Sequence, residues 1–172
     1  MLITLFNCGA NKKVSKRNES YGVISALLEY YDDKNVYKRD AIILTDSILK
    51  FDKDDFFNSI AKFQEQKKYA AYSPKCVDEI HEQFNQDSSY LVNDLDKVWN
   101  YEKVTFPKSK VKSISNLVLG ENYISLSRPL FNTEKNLILI KGNKGNTGEI
   151  LYFLKRKQKK WVIDCELFLS YY

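Results

Sequence analysis

Three cysteines, a single histidine and a scatter of carboxylates are the residues of this chain that could carry chemistry. Cys8, Cys76 and Cys165 form no C-x-x-C pair and no zinc-ligand spacing, so they do not predict a metal site. Cys76 and Cys165 suit either a disulfide or two separate buried thiols. His81 lies beside the apolar face of a predicted helix, with no nucleophile or orienting acid in sequence reach. Its pattern is that of a half-exposed helix residue rather than a general base. Asp46, Asp52, Asp54 and Asp55 lack the calcium-loop spacing and its central glycine. Helix capping accounts for Asp52, Asp54 and Asp55. Asp46, Asp164 and Glu166 sit in or near predicted strands and are the candidates a carboxylate-dependent hydrolase would need. No cofactor-binding motif is present. "GNKGNTG", residues 142–148, lacks the Gly-Lys-Ser/Thr ending of a phosphate loop and precedes a strand instead of a helix. Its glycines, Gly142, Gly145 and Gly148, are expected to supply positive φ angles in a long hairpin loop, with Lys144 solvated at the tip.

The first cysteine carries a different meaning. Residues 1–6, Met-Leu-Ile-Thr-Leu-Phe, are almost wholly apolar, and Asn7-Cys8-Gly9-Ala10 follows them. This resembles the end of a bacterial lipoprotein signal, where a hydrophobic run stops at a cysteine that becomes the lipid-bearing mature N-terminus. The resemblance implies cleavage before Cys8, a diacylglycerol on its sulfur and acyl-chain (palmitate-type) anchoring to a membrane. No Lys or Arg precedes Cys8, and the apolar run is shorter than a whole signal peptide. Residues 1–8 are therefore expected to be a truncated signal segment whose start lies upstream. The polar, basic residues 9–19 are then a tether. The alternative is a short first strand with Cys8 buried in it. No later run is long enough to span a bilayer.

The elements that must position these residues fall into two halves. Ser20 can cap a helix on which Tyr21, Ile24, Leu27, Leu28 and Tyr31 share a face, ending at Asp32-Asp33. Residues 41–44 read as a strand that continues through Ile48 and Leu49. "FDKDDFFNSIAKFQEQ" predicts a second helix. "YSPKCVDEIHEQF" predicts a third, with Ser73 as cap, Pro74 in the first helical position, and Val77, Ile80 and Phe84 on its apolar face. Trp99 and Tyr101 are expected to pack on the core. Lys108, Lys110 and Lys112 alternate as on an exposed sheet edge. From residue 111 the pattern changes to short β runs at 111–119, 123–127, 137–141, 149–155 and 161–168, separated by turn signals. Ile150, Tyr152 and Leu154 fall on one face and Leu151 and Phe153 on the other, so this strand is expected to be central. The fold class is α+β, a single domain over 20–172: helices from 20–101 packed on one face of a C-terminal antiparallel β-meander at 111–168.

Charge divides unevenly. Residues 1–100 carry 14 basic and 16 acidic side chains; residues 101–172 carry 13 and 6. The basic side chains of the C-terminal part are mostly scattered singly, so nucleic acid is not an expected partner. Their one dense run, "KRKQKK" at 155–160, reads as a hairpin end, with Trp161 opening the next strand. Arg128, held between Ser127 and Pro129 at a strand end, could pair a carboxylate of the protein or of a ligand. Arg128, Lys144 and Trp161 are the candidate binding residues.

"YISLSRPLFNTEKNLILI", the glycine loop and "GEILYFLKRKQKKWVI" together resemble a widespread group of uncharacterised small bacterial proteins. Many of these look secreted or lipid-anchored in Bacteroidetes-type bacteria. The resemblance spans roughly 121–165, with a weaker echo at "DAIILTDSILKF". It implies the sheet and an envelope location and names no activity. In that group the glycine loop often bears a cysteine; this chain has none there. The functional expectation is a non-enzymatic envelope lipoprotein anchored through Cys8, meeting an envelope protein or surface component. The alternatives are a cytosolic immunity or inhibitor-type partner protein and a small carboxylate-dependent hydrolase.

Overall fold

The computed structural model describes residues 8–34, 42–52, 57–58, 74–84, 89–90, 98–106, 111–114, 123–145 and 148–170. Within them run α1 (Cys8–Asp33), β1 (Ile42–Leu49), α2 (Pro74–Gln83), β2 (Ser89–Tyr90) and a 3-10 turn (Tyr101–Lys103). There follow β3 (Val111–Ile114), β4 (Ile124–Ser127), β5 (Leu130–Phe131), β6 (Leu137–Lys144), β7 (Glu149–Lys157) and β8 (Lys160–Ser170).

All the strands join one sheet. Its order is β3-β1-β4-β6-β7-β8, with β5 continuing along β6 where β4 stops and β2 flanking β5. The succession β6-β7-β8 is antiparallel, as the turn signals predict. The sheet is nevertheless mixed and not a pure meander, because β1 pairs in parallel with both β3 and β4. The run "AIIL" has no polar face and so suits this internal position, where β1 has a neighbour on each side.

The helices also depart from the expected single layer. α1 covers one face and α2 the other. The α1-side core gathers Ile24, Leu27, Leu28 and Tyr31 with Ile138, Ile140, Ile150, Tyr152 and Leu154. The α2-side core gathers Cys76, Val77, Ile80 and Phe84 with Leu137, Leu139, Leu151, Phe153 and Leu167. β7 shows why two layers are needed. Its five consecutive apolar side chains at 150–154 are all buried, so each face must exclude water.

Irregularities keep the alternation in register with both cores. Along β8, Ile163 opposes Leu154 and Cys165 opposes Phe153, leaving Asp164 as an inserted residue. That insertion moves the odd-numbered side chains from the α1 side, where Trp161 and Ile163 pack, to the α2 side, where Cys165 and Leu167 pack. A similar step separates β4 from β5. Leu126 opposes Gly142 and Leu130 opposes Leu139, so one residue is extra around Arg128-Pro129. Around this step the Ser127 hydroxyl, and not a backbone carbonyl, accepts the Lys141 N–H at 2.9 Å.

The helix expected to begin near Ser20 begins at Cys8, so the segment 9–19 read as a tether is helical. The five apolar residues read onto its face are all buried. α2 begins at Pro74 as its cap signal predicts. Most of the helix expected over "FDKDDFFNSIAKFQEQ" lies outside the described residues.

Candidate functional site

Among the described residues, polar chemistry and burial meet at several places. The first is a row of polar side chains crossing four adjacent strands on the α2 side of the sheet. Thr45 on β1 and Ser125 on β4 share a hydrogen bond between hydroxyls at 2.7 Å. Ser125 stands opposite Asn143 on β6, and Asn143 stands opposite Glu149 on β7. Lys141, one step along the same face, pairs with Glu149 at 2.6 Å. Flanking positions on these strands are apolar and buried, among them Leu44, Ile124 and Leu126. Thr45 and Ser125 are buried, whereas the Lys141 and Glu149 side chains remain 18% and 24% exposed. Asn143 Oδ1 is shut away from solvent and has no hydrogen-bond partner among the described residues. Such an acceptor forfeits its hydration without replacement, which costs roughly 1–3 kcal/mol. The 3-10 turn braces the row from beside it: the Tyr101 hydroxyl donates to the Thr45 carbonyl. Burial, then the charge of Asp46, pushes the Tyr101 phenol far up, so it stays a donor.

The second place is the C-terminal end of α1. The Lys34 ammonium lies 4.3 Å from the centre of the Tyr30 ring, and its contact with Tyr30 raises the lysine pKa. Tyr30 itself is raised, by burial and against the pull of Lys34, with Glu166 adding to the rise. Beneath them Tyr152 is fully buried and meets Tyr31 edge-on at 5.9 Å. Burial, then Glu166, holds its phenol well up. These groups close the end of the α1-side core.

The third joins α2 to the sheet. Cys76 and Cys165 form a disulfide, with Cα atoms 6.7 Å apart and a sequence separation of 89. Beside it Lys155 contacts Glu79 of α2 at 2.6 Å and Asp164 of the β8 insertion at 2.9 Å.

The sequence candidates distribute over these places unevenly. Cys8 opens α1. Arg128 is half-buried at the step between β4 and β5. Lys144 is the last residue of β6, and not at a loop tip as expected. Trp161 is buried in the α1-side core, edge-on to Phe131 at 6.0 Å, with the Arg156 guanidinium 5.5 Å from its ring. The hydrolase carboxylates are not brought together: Asp164 pairs with Lys155 and Lys157, Glu166 acts on Tyr30 and Tyr152, and Asp46 lies on β1. His81 is exposed on α2. Gly145 and Gly148 take positive φ, 50° and 107°. Gly142 does not; it is a strand residue whose missing Cβ would lie 2.7 Å from the Tyr152 ring. The polar row escaped sequence reasoning. Thr45 opens the polar stretch Thr45-Asp46-Ser47 and Asn143 lies in the glycine-rich run after Lys141, and only strand register places them beside Ser125.

Among the described residues, no group of three His, Cys, Asp or Glu could hold a metal ion, and no helix is long and apolar enough to cross a membrane. No family model, curated protein or solved structure matches the chain.

Proposed function

We propose that the chain is a binding domain of the bacterial cell envelope, without catalytic activity of its own, held to a membrane by lipid on Cys8. The observation that carries this reading is the Cys76–Cys165 disulfide. Structural disulfides persist in oxidising compartments and are rare in a reducing cytosol. This one fastens a covering helix to the sheet, which is a structural use and not a catalytic one. The apolar run before Cys8 supplies the anchoring signal, and the resemblance of residues 121–165 to small envelope proteins agrees with it. The dispersal of Asp46, Asp164 and Glu166 argues against the carboxylate hydrolase.

The helical start of α1 changes the picture of the tether. Residues 8–18 in helical form span about 16 Å at 1.5 Å per residue. An acylated Cys8 would then sit at the foot of a rod leading into the packed part of α1, and not on a loose strap.

Metabolic labelling tests the reading. With the native gene and its own upstream sequence, labelled palmitate is expected to enter the protein, and Cys8→Ser is expected to abolish the label and release the domain into the soluble fraction. An unlabelled wild-type chain in the cytosolic fraction would overturn the proposal and favour the cytosolic partner protein.

A further inference from the structure

We propose that the β7–β8 turn and the first turns of α1 form one basic end of the molecule, which docks on the anionic headgroups of a lipid bilayer. The inference deepens the membrane part of the reading above by naming the surface that faces the membrane.

Two basic runs far apart in sequence meet at this end. One is "KRKQKK" at 155–160, the other "KKVSKR" at 12–17. Contacts along α1 fix their relation. Glu19 pairs with Arg156 at 2.9 Å, while twelve residues later Tyr31 meets Tyr152, on the side of β7 away from the turn. α1 therefore runs opposite to β7, and its residues before Glu19 continue past the Arg156–Trp161 pair in the direction of the β7–β8 turn. The turn reaches about 7 Å beyond that pair, at two residues of strand rise. The helix before Glu19 reaches about 16 Å. Cys8 then lies roughly 10 Å beyond the basic tip, which is about one Debye length, so a bilayer held at Cys8 is within electrostatic reach of the lysines.

The tip is open to such a surface. Residues 156–160 are all exposed, and the Lys157 side chain is 60% exposed even while it pairs with Asp164. Carboxylates placed among the basic residues are Glu19, on Arg156, and Glu79 and Asp164, on Lys155. They leave the cations of the two runs in clear excess. The neighbouring β5–β6 turn, where the Asn136 carbonyl accepts the Arg156 N–H, adds Glu134 and Lys135, which offset each other. Lysines near an anionic bilayer each add about 1 kcal/mol of attraction. The composition suits headgroups better than nucleic acid. Lysine outnumbers arginine in both runs, and Trp161, the aromatic beside the hairpin run, is buried beneath Arg156 and offers no ring to a base.

The test is co-sedimentation of the full-length chain, made without lipid, with vesicles of phosphatidylcholine alone or mixed with phosphatidylglycerol. The chain is expected to pellet with the mixed vesicles at low salt, to be released as salt rises, and to ignore pure phosphatidylcholine. Lys159→Gln with Lys160→Gln is expected to weaken the partition by about tenfold or more with an unchanged melting temperature, and Lys12→Gln with Lys13→Gln to do the same. Lys34→Gln, at the opposite end of α1, is expected to stay within about twofold of wild type. The proposal is overturned if the two vesicle types bind equally or neither binds, if either lysine pair binds like wild type, or if Lys34→Gln costs as much as they do. It also falls if a random-sequence DNA duplex, at the same salt and the same concentration of anionic charge, binds more tightly than the mixed vesicles. The lipid-free chain reads the basic end without Cys8, so failure here and failure of palmitate labelling are seen separately.

Discussion

The Asn132 side chain organises the backbone of a turn. Buried in the β5–β6 turn, its Oδ1 accepts the N–H groups of Asn136 and Leu137, and its Nδ2 donates to Asn136 Oδ1. Asn132→Ala strands these groups, and at about 1 kcal/mol for each of the two backbone bonds the expected loss is about 2 kcal/mol, read from the urea midpoint. Gly142 is constrained from the opposite direction. A methyl there would press on the fully buried Tyr152 ring, so Gly142→Ala is expected to destabilise by about 1–3 kcal/mol in the same assay. A melting curve indistinguishable from wild type would show that the ring can yield. Neither residue announces itself in sequence as doing this. "FN" before a turn reads as an ordinary turn signal, and Gly142 reads as part of a loop because two more glycines follow it. Its requirement comes from a neighbour on β7, which only pairing reveals.

At the scale of elements, the β7–β8 turn and the fastening of α2 stand out. Lys157 pairs with Lys160, and both central residues of the turn, Gln158 and Lys159, have positive φ, 48° and 69°. This two-residue geometry favours Asn-Gly, because an ordinary side chain in the left-handed region costs roughly 1–2 kcal/mol. Gln158→Asn with Lys159→Gly is accordingly expected to raise the melting temperature, and a fall would contradict the turn assignment. The disulfide closes a long loop, its ends lying 89 positions apart in sequence. By loop entropy such a closure is worth about 4.6 kcal/mol, a little above the usual effect. Cys76→Ala with Cys165→Ala should lower the unfolding free energy by about that amount in chemical denaturation. An unchanged midpoint would mean that packing alone holds α2. The helix signals of Tyr21 to Tyr31 and of Ser73-Pro74 were readable in sequence, as were β6, β7 and β8, because periodicity and turn residues are local. The parallel partners of β1, the second helical layer and the insertion at Asp164 were not. Each is decided by which distant strand or helix a segment meets.

For the molecule as a whole, the titrating groups that shift share one direction. Tyr30, Tyr101 and Tyr152 are raised chiefly by burial, and Lys34 by its contact with Tyr30. Burial alone would lower Lys155, but Glu79 and Asp164 outweigh it and the net is a rise. A group whose pKa is raised on folding holds its proton more tightly in the folded state. Its stabilisation is complete below the unfolded value, 10.0 for these phenols and 10.5 for these amines, and is lost as pH climbs through the folded one. The melting temperature is therefore expected to fall steeply above about pH 10, and Lys155→Met to flatten part of that fall. A level profile to pH 11.5, about a unit above the ordinary lysine pKa, would contradict it.

Envelope location is the claim on which the functional account turns, and one measurement reaches it directly: the intact mass of the protein made from its native gene, taken before and after reduction. The account predicts a chain that starts at Cys8, carries diacylglycerol, and gains the mass of two hydrogens on reduction. An unprocessed chain without lipid, whose mass reduction leaves unchanged, would contradict it.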